Sequence, residues 1–292
     1  MLKQRVITAV LLLPLVGFIL FGLNLNGFAI TLLIVNYLLA WEWARLSSIE
    51  HSPLKSLYAL FVSLVSLVVW YYAPAIELWP STWFIEWHWT STLLAFWLAV
   101  AGWGIAFSML LLASTTREFW NRTPWIRLLL GVILIVGFWV SVIALRNTDI
   151  NQSPLMGGFY VLFMFTLVWG ADVGGYVFGK LFGKHKLIPS VSPGKTWEGF
   201  FGGVFLTLVV AVAGAYLLEL PVNNLGLFIL AIITIAIISV LGDLFVSLLK
   251  RQVNVKDTSQ LLPGHGGILD RLDSTIAVSP FFLLFAKALG WI

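Results

Sequence analysis

Residues 226–251 read GLFILAIITIAIISVLGDLFVSLLKR, an apolar run that closes on an acid, a hydroxyl and two cations. A helix needs about 20 such residues to cross a ~30 Å hydrocarbon core. The run lacks the alternation of a barrel strand, and a lipid-embedded backbone must satisfy its polar groups within the segment. It therefore reads as a transmembrane helix. Working outward, eight more apolar runs give nine predicted spans, at approximately 5–22, 27–46, 56–74, 91–114, 125–145, 155–179, 197–218, 226–249 and 274–291. The predicted fold class is all-α, a polytopic integral membrane protein.

Composition agrees. Of 292 residues 60% are hydrophobic and 10% charged, against roughly a quarter charged in a soluble domain, which excludes a water-soluble fold. There are 15 Trp and 22 Phe but no Cys, so disulfides, thiolate metal sites, iron-sulfur clusters and cysteine nucleophiles are excluded together. The formal charge of +4 bears on topology rather than on nucleic acid, and no nucleic-acid partner is expected. With the N-terminus in the cytosol, nine spans place all of the 17 Lys and Arg there except Arg146 and Lys287. Loop 75–90 holds Glu77, Glu86 and several Trp but no Lys or Arg, and reads as an outer interfacial loop. The expected topology is N-terminus in, C-terminus out, with the first run kept as a span rather than cleaved as a leader.

No internal repeat or soluble insertion is visible, so the chain reads as one membrane domain with two functional parts. Residues 1–154 are apolar helices for support, lipid or subunit contacts, and a homodimer is one assembly they permit. Residues 155–292 carry the chemistry, in loops facing the cytosol.

Three polar clusters fall in that second part. The first surrounds Asp172, at the end of the sixth run among Gly170, Gly174, Gly175 and Gly179. An ionisable residue within a span costs roughly 2.5 to 3.5 kcal/mol on insertion scales, so Asp172 needs a reason. Either it serves a site or it pairs with a neighbour in a tightly packed helix. The second is Ser190–Gly199, where Gly194-Lys195-Thr196 imitates the end of a P-loop, but Pro189 occupies the position where that motif needs glycine. Ser192, Lys195 and Thr196 at a helix start suit phosphate binding, or else form a helix cap with a topogenic lysine. The third runs from Asp243 through Ser247, Lys250, Arg251, Lys256, Asp257, His265, Gly266 and Gly267 to Asp270, Arg271 and Asp273. Helical spacing puts Asp243, Ser247, Lys250 and Arg251 on one face, and Asp270 and Asp273 on another, so both acids can approach Asp243. Carboxylates flanked by cations suit a hard ion such as Mg2+, shared with substrate phosphates. His265 is either a proton carrier or the cap of a glycine turn.

The third cluster resembles the signature of the phosphatidate cytidylyltransferases, or CDP-diacylglycerol synthases. The matching positions are Ser247, Lys250, Arg251, Lys256, Asp257, Ser259, Pro263, His265, Gly266, Gly267, Asp270, Arg271 and Asp273. Ser192-Pro193-x-Lys195-Thr196-x-Glu198-Gly199 is similar to a second stretch of that family, apart from Gly194, where some members carry lysine.

The resemblance implies the reaction of CTP with phosphatidate to CDP-diacylglycerol and pyrophosphate, on a divalent metal, in the cytoplasmic (inner) membrane. Asp243 and Asp270, with Asp273 and Asp172, are then the expected holders of Mg2+ and of any second cation. Lys250, Arg251, Lys256 and Arg271 are expected to neutralise phosphates, with Asp257 and His265 beside them in the catalytic set. Ser192, Lys195, Thr196, Ser247, Gly266 and Gly267 are expected to bind substrate. The rival reading is an ion- or proton-coupled transporter, which calls for acids near the midplane in both halves. Against it, residues 1–154 show no buried acid comparable to Asp172 or Asp243.

Overall fold

The computed structural model describes residues 2–72, 91–112, 122–148 and 153–292. Loop 75–90 and Arg117, used in the topological reading, lie outside the described residues, as do the side chains of Lys3 and Arg5. Nine helices occupy the described residues: α1 Leu2–Phe21, α2 Leu25–Leu46, α3 Ser52–Tyr71, α4 Ser91–Leu111, α5 Pro124–Asn147, α6 Met156–Phe182, α7 Trp197–Leu217, α8 Leu225–Gln252 and α9 Leu269–Ala288. Each matches one predicted run to within several residues, and seven, α2 to α8, are long and apolar enough to cross a membrane. Helix α9 starts ahead of its apolar run because Asp270, Arg271 and Asp273 continue it, and an acid in a first turn is favoured by the helix dipole.

Helix α5 forms the centre of the bundle. It is buried without a break from Leu134 to Arg146, as expected of a helix apolar on all sides, and packs against α2, α4, α6 and α9. Arg127, near its start, donates to the carbonyl of Leu46 at 3.1 Å and to Ser48 Oγ at 3.0 Å. Arg146, near its end, donates to the carbonyls of Pro154 at 3.0 Å and Leu23 at 3.1 Å. Each guanidinium thus satisfies backbone oxygens that the ends of neighbouring elements leave open. At the periphery α3 turns Leu57, Leu60, Phe61 and Leu64 outward, the spacing of one helical face directed at lipid.

Between α6 and α7 the chain forms a hairpin, β1 Lys186–Ile188 against β2 Ser192–Thr196, with Lys186 opposite Thr196 and Ile188 opposite Ser192. Ser192, Lys195 and Thr196, expected at a helix start, thus lie in a strand that leads into α7: strands this short carry too few residues for a period of two to register. Glu198, in the first turn of α7, accepts from the backbone N–H groups of Lys184 at 3.1 Å and His185 at 3.2 Å, fastening the hairpin's base. The connection between α8 and α9 tightens into a turn in which the N–H of Leu262 donates to the carbonyl of Gly266 at 2.9 Å. Gly264 at φ 77° and Gly266 at φ 86° occupy the left-handed region that glycine enters without steric cost.

Helices α6 and α7 make the most extensive helix contact in the bundle, and glycine allows it. A Cβ on Gly203 would lie 2.8 Å from the carbonyl oxygen of Ala171, and one on Gly174 would lie 2.5 Å from that of Gly202. Small residues drive such packing in lipid, where the hydrophobic effect gives helices no reason to associate. Gly203→Val is expected to destabilise the purified protein in detergent by about 1 to 3 kcal/mol, the range for overpacking a tight contact. Gly104→Ala, at a position with nothing within 4 Å, is expected to leave the melting temperature unchanged.

Candidate active site

The C-terminal end of α8, the first turns of α7 and α9, the hairpin and the last turns of α6 converge on a basin of about 670 Å³. Asp172 comes from α6, Ser192, Lys195 and Thr196 from β2, and Asp243 and Lys250 from α8. Asp257 comes from the connecting loop, and Asp270, Arg271 and Asp273 from α9; all of these line the basin. Three sequence clusters therefore form one site.

Within it, carboxylates and ammonium groups are paired across elements. Lys195 Nζ lies 2.8 Å from Asp243 Oδ2, and Ser247 Oγ donates to Asp243 Oδ1 at 3.2 Å. Lys250 Nζ lies 2.8 Å from Asp270 Oδ1. Asp270 Oδ2 accepts from the backbone N–H groups of Thr258 at 2.8 Å and Gly267 at 3.0 Å, with Thr258 Oγ1 at 2.9 Å. Asp273 is 8% exposed, and its Oδ1 accepts from the N–H of Ser274 at 2.7 Å. Asp172 is exposed and lines the basin, as do Asp257 and Arg271. The ion pairs thus join acids to lysines of other elements.

Of the other expected residues, only Thr196 touches the basin. Arg251 Nε donates to the carbonyl of Val191 at 3.4 Å, tying α8 to the hairpin, and Lys256 is exposed beyond the basin lining. Thr196 caps α7, its hydroxyl accepting from the N–H of Gly199 at 3.1 Å, while one edge still faces the basin. His265 is set in the glycine turn, with its N–H on the carbonyl of Leu262 at 2.9 Å and Nδ1 buried without a partner among the described residues. Gly266 supplies the positive φ of that turn. Gly267 leaves space where any Cβ would strike Thr258 Oγ1 and the carboxylate of Glu42.

Glu42 corrects the expectation that residues 1–154 hold no comparable buried acid. It lies in α2, is 0% exposed, and meets the loop between α8 and α9. Oε1 accepts from Ser259 Oγ at 2.6 Å and the N–H of Ile268 at 2.9 Å; Oε2 accepts from Thr258 Oγ1 at 2.7 Å and the N–H of Leu269 at 2.8 Å. One turn further along α2, Arg45 Nη1 donates to the carbonyl of Thr258 at 2.8 Å. The signal was present in sequence: Glu42 interrupts an apolar run as Asp172 does. Arg45, three residues on, offers a local partner for the acid, and the bonds it makes instead run to residues more than two hundred positions away.

A polytopic helical bundle that gathers five aspartates and paired lysines at one end of its helices is a membrane enzyme suited to phosphorylated substrates. Comparison with known proteins supplies the family. Residues 3–289 match the model of the cytidylyltransferase family. The chain is 38% identical over 289 residues to the phosphatidate cytidylyltransferase of Haemophilus influenzae, covering 98% of each. It is 38% identical over 293 residues to that of Pseudomonas aeruginosa, covering 100% of this chain and 99% of that one. With the enzyme of Staphylococcus epidermidis identity rises to 48% over 121 residues, 41% of this chain and 46% of that one. The chain belongs to the phosphatidate cytidylyltransferases of the cytidylyltransferase family.

The two ion pairs differ in burial, and so in what their loss costs. Lys250 and Asp270 side chains are 12% and 4% exposed, those of Lys195 and Asp243 25% and 31%. Lys250→Met is expected to destabilise the protein by about 3 kcal/mol, the lower end for stranding a buried charge, because the backbone N–H groups of Thr258 and Gly267 remain on Asp270. Lys195→Met is expected to cost about 1 kcal/mol or less, since water screens that pair. Thermal unfolding of both variants in detergent checks the order.

Proposed function

We propose that the basin transfers the cytidylyl group of CTP to phosphatidate, giving CDP-diacylglycerol and pyrophosphate. An oxygen of the lipid phosphate attacks the α-phosphorus; the new P–O bond forms as the bond from that phosphorus to the bridging oxygen breaks, and pyrophosphate leaves with the electron pair. The lipid phosphate is ionised at neutral pH, so no protein nucleophile or strong base is needed. What the protein must do is bring two polyanions together and compensate their charge.

The observation that carries this reading is the presence of two ion pairs, Lys195 with Asp243 and Lys250 with Asp270, held by three different elements around one basin. Arriving phosphates can take the lysines from the carboxylates, leaving the carboxylates free for a cation. Lys250 and Arg271 face the triphosphate and the charge that builds on pyrophosphate, with Arg251 and Lys256 outside the basin lining adding to the positive field. Ser192 and Lys195 on β2 receive the lipid phosphate, which reaches a basin at the helix ends by lateral diffusion.

The donor set fits Mg2+. It offers only hard carboxylate oxygens, from Asp243 and Asp270 with Asp273 and Asp172 nearby, and among the described residues no three acids gather into a closed cage. Mg2+ typically takes one or two protein carboxylates and completes its shell with substrate phosphates and water. When bound, the ion supplies charge neutralisation and alignment of the phosphates.

Orientation follows the basic residues. Arg45, Arg127, Lys195, Lys250, Lys256 and Arg271 lie at the basin end of their elements, while Arg146 and Lys287 lie at the opposite helix ends. The positive-inside bias supports a basin facing the cytosol, where CTP is made, in the inner membrane. Glu42 does not revive a transporter: it reaches the same end of the bundle as the aspartates, away from the midplane.

Purified protein given CTP, phosphatidate and Mg2+ is expected to release pyrophosphate only when all three are present. Asp243→Asn and Asp270→Asn are each expected to lower the rate by two orders of magnitude or more, on the order of the loss when an electrostatic element of a site is removed. Release without phosphatidate, or equal rates in wild type and variants, would overturn the assignment.

A further inference from the structure

We infer that Glu42 is a positioning residue for the active site, holding Asp270 in its working orientation from a helix that contributes nothing to the basin wall. The inference rests on the reading of Asp270 as a holder of the metal and phosphates. Helix α9 begins without a cap of its own: Ile268 stands at its N-cap position and makes no side-chain cap bond. The first N–H groups of a helix have no internal partner, and burying them unsatisfied is costly. Glu42 accepts two of these, from Ile268 and Leu269, at 2.9 and 2.8 Å. It caps α9 from another helix. Asp270 follows directly, so the direction of the capped turn is the direction in which Asp270, Arg271 and Asp273 are presented.

A second link runs through Thr258. Its hydroxyl lies 2.7 Å from Glu42 Oε2 and 2.9 Å from Asp270 Oδ2, and its own N–H donates to the same Asp270 oxygen at 2.8 Å. Arg45 holds the carbonyl of Thr258 from the other side at 2.8 Å. Glu42 and Arg45, three residues apart on one face of α2, therefore clamp the residue that fixes Asp270. With Oδ2 engaged by these donors and by the N–H of Gly267, Oδ1 is the oxygen left to Lys250 and the basin. The clamp selects which carboxylate oxygen does the work. It also accounts for Gly267, since any side chain there would occupy the place of the Glu42 carboxylate and the Thr258 hydroxyl.

Glu42→Gln is a sharp perturbation. Each Glu42 oxygen faces one backbone N–H, so the amide nitrogen of glutamine meets a donor whichever way the group turns. Thr258→Val removes the hydroxyl and keeps the shape, while Thr258→Ser keeps the hydroxyl. In wild type and these variants, two quantities are measured: the Mg2+ concentration for half-maximal pyrophosphate release, and the rise in unfolding temperature on adding Mg2+ and CTP to purified protein.

Glu42→Gln and Thr258→Val are expected to raise the Mg2+ requirement about tenfold or more, as loss of an outer partner of a metal ligand does. They are also expected to shrink the ligand-induced thermal shift, with Thr258→Ser recovering most of both. If the variants merely melt at a lower temperature while Mg2+ requirement and thermal shift stay at wild-type values, Glu42 is a structural cap only and the inference is overturned. Should Glu42→Gln not fold, the two Thr258 variants decide the question. Asp270→Asn is measured in parallel: if its ligand-induced shift equals that of wild type, the metal reading of Asp270 fails and the inference with it, a failure separable from that of the clamp.

Discussion

A carboxylate inside an apolar bundle stays charged only where donors surround it, and that constraint organises this protein. Burying an unpaired charge is far more costly than any single packing contact gains. Three acids at or behind the basin show how this is met. Asp270 takes Lys250 and two backbone N–H groups; Asp243 takes Lys195 and a serine hydroxyl; Glu42 takes two hydroxyls and the open start of a helix. Because the donors come from different elements, satisfying the charges also fixes how the elements meet. The hairpin, the loop before α9 and the ends of α2 and α8 are held together by the same bonds that satisfy these three acids.

Much of this was legible along the chain. Nine apolar runs became nine helices, since a run of lipid-compatible length leaves its backbone few alternatives. The approach of Asp270 and Asp273 to Asp243 was legible from helical spacing within the third cluster, whereas nothing in the spacing joined Asp172 and Lys195 to them. Where local pattern ran out, so did foresight. The hairpin is too short to show a period, and Arg251 turned to the backbone of Val191 rather than to an acid. Glu42 marked itself by interrupting an apolar run, but its partners lie 216 and 227 positions away, and no local pattern joins it to them.

Glycine does two separate jobs here, and keeping them apart clarifies the site. Gly174 and Gly203 let α6 and α7 approach until backbone meets backbone, which needs absence of bulk and no special torsion. Gly266 is required by its torsion. Gly267, next to it, is again a matter of space, reserved for a carboxylate arriving from α2. Adjacent identical residues in one motif thus answer to different physical demands, and a substitution tolerated at one says little about the other.

The two arginines of α5 have a mechanical consequence. Each guanidinium grips backbone carbonyls of its neighbours, one set near each end of a helix buried along its length. Sliding or rotating that helix would break bonds at both ends and strand a cation in an apolar interior, so α5 behaves as a fixed axle. The α6–α7 seam is locked differently, by shape alone, with the backbones of Gly174 and Gly202 and of Gly203 and Ala171 in near contact and no ion pair between them among the described residues.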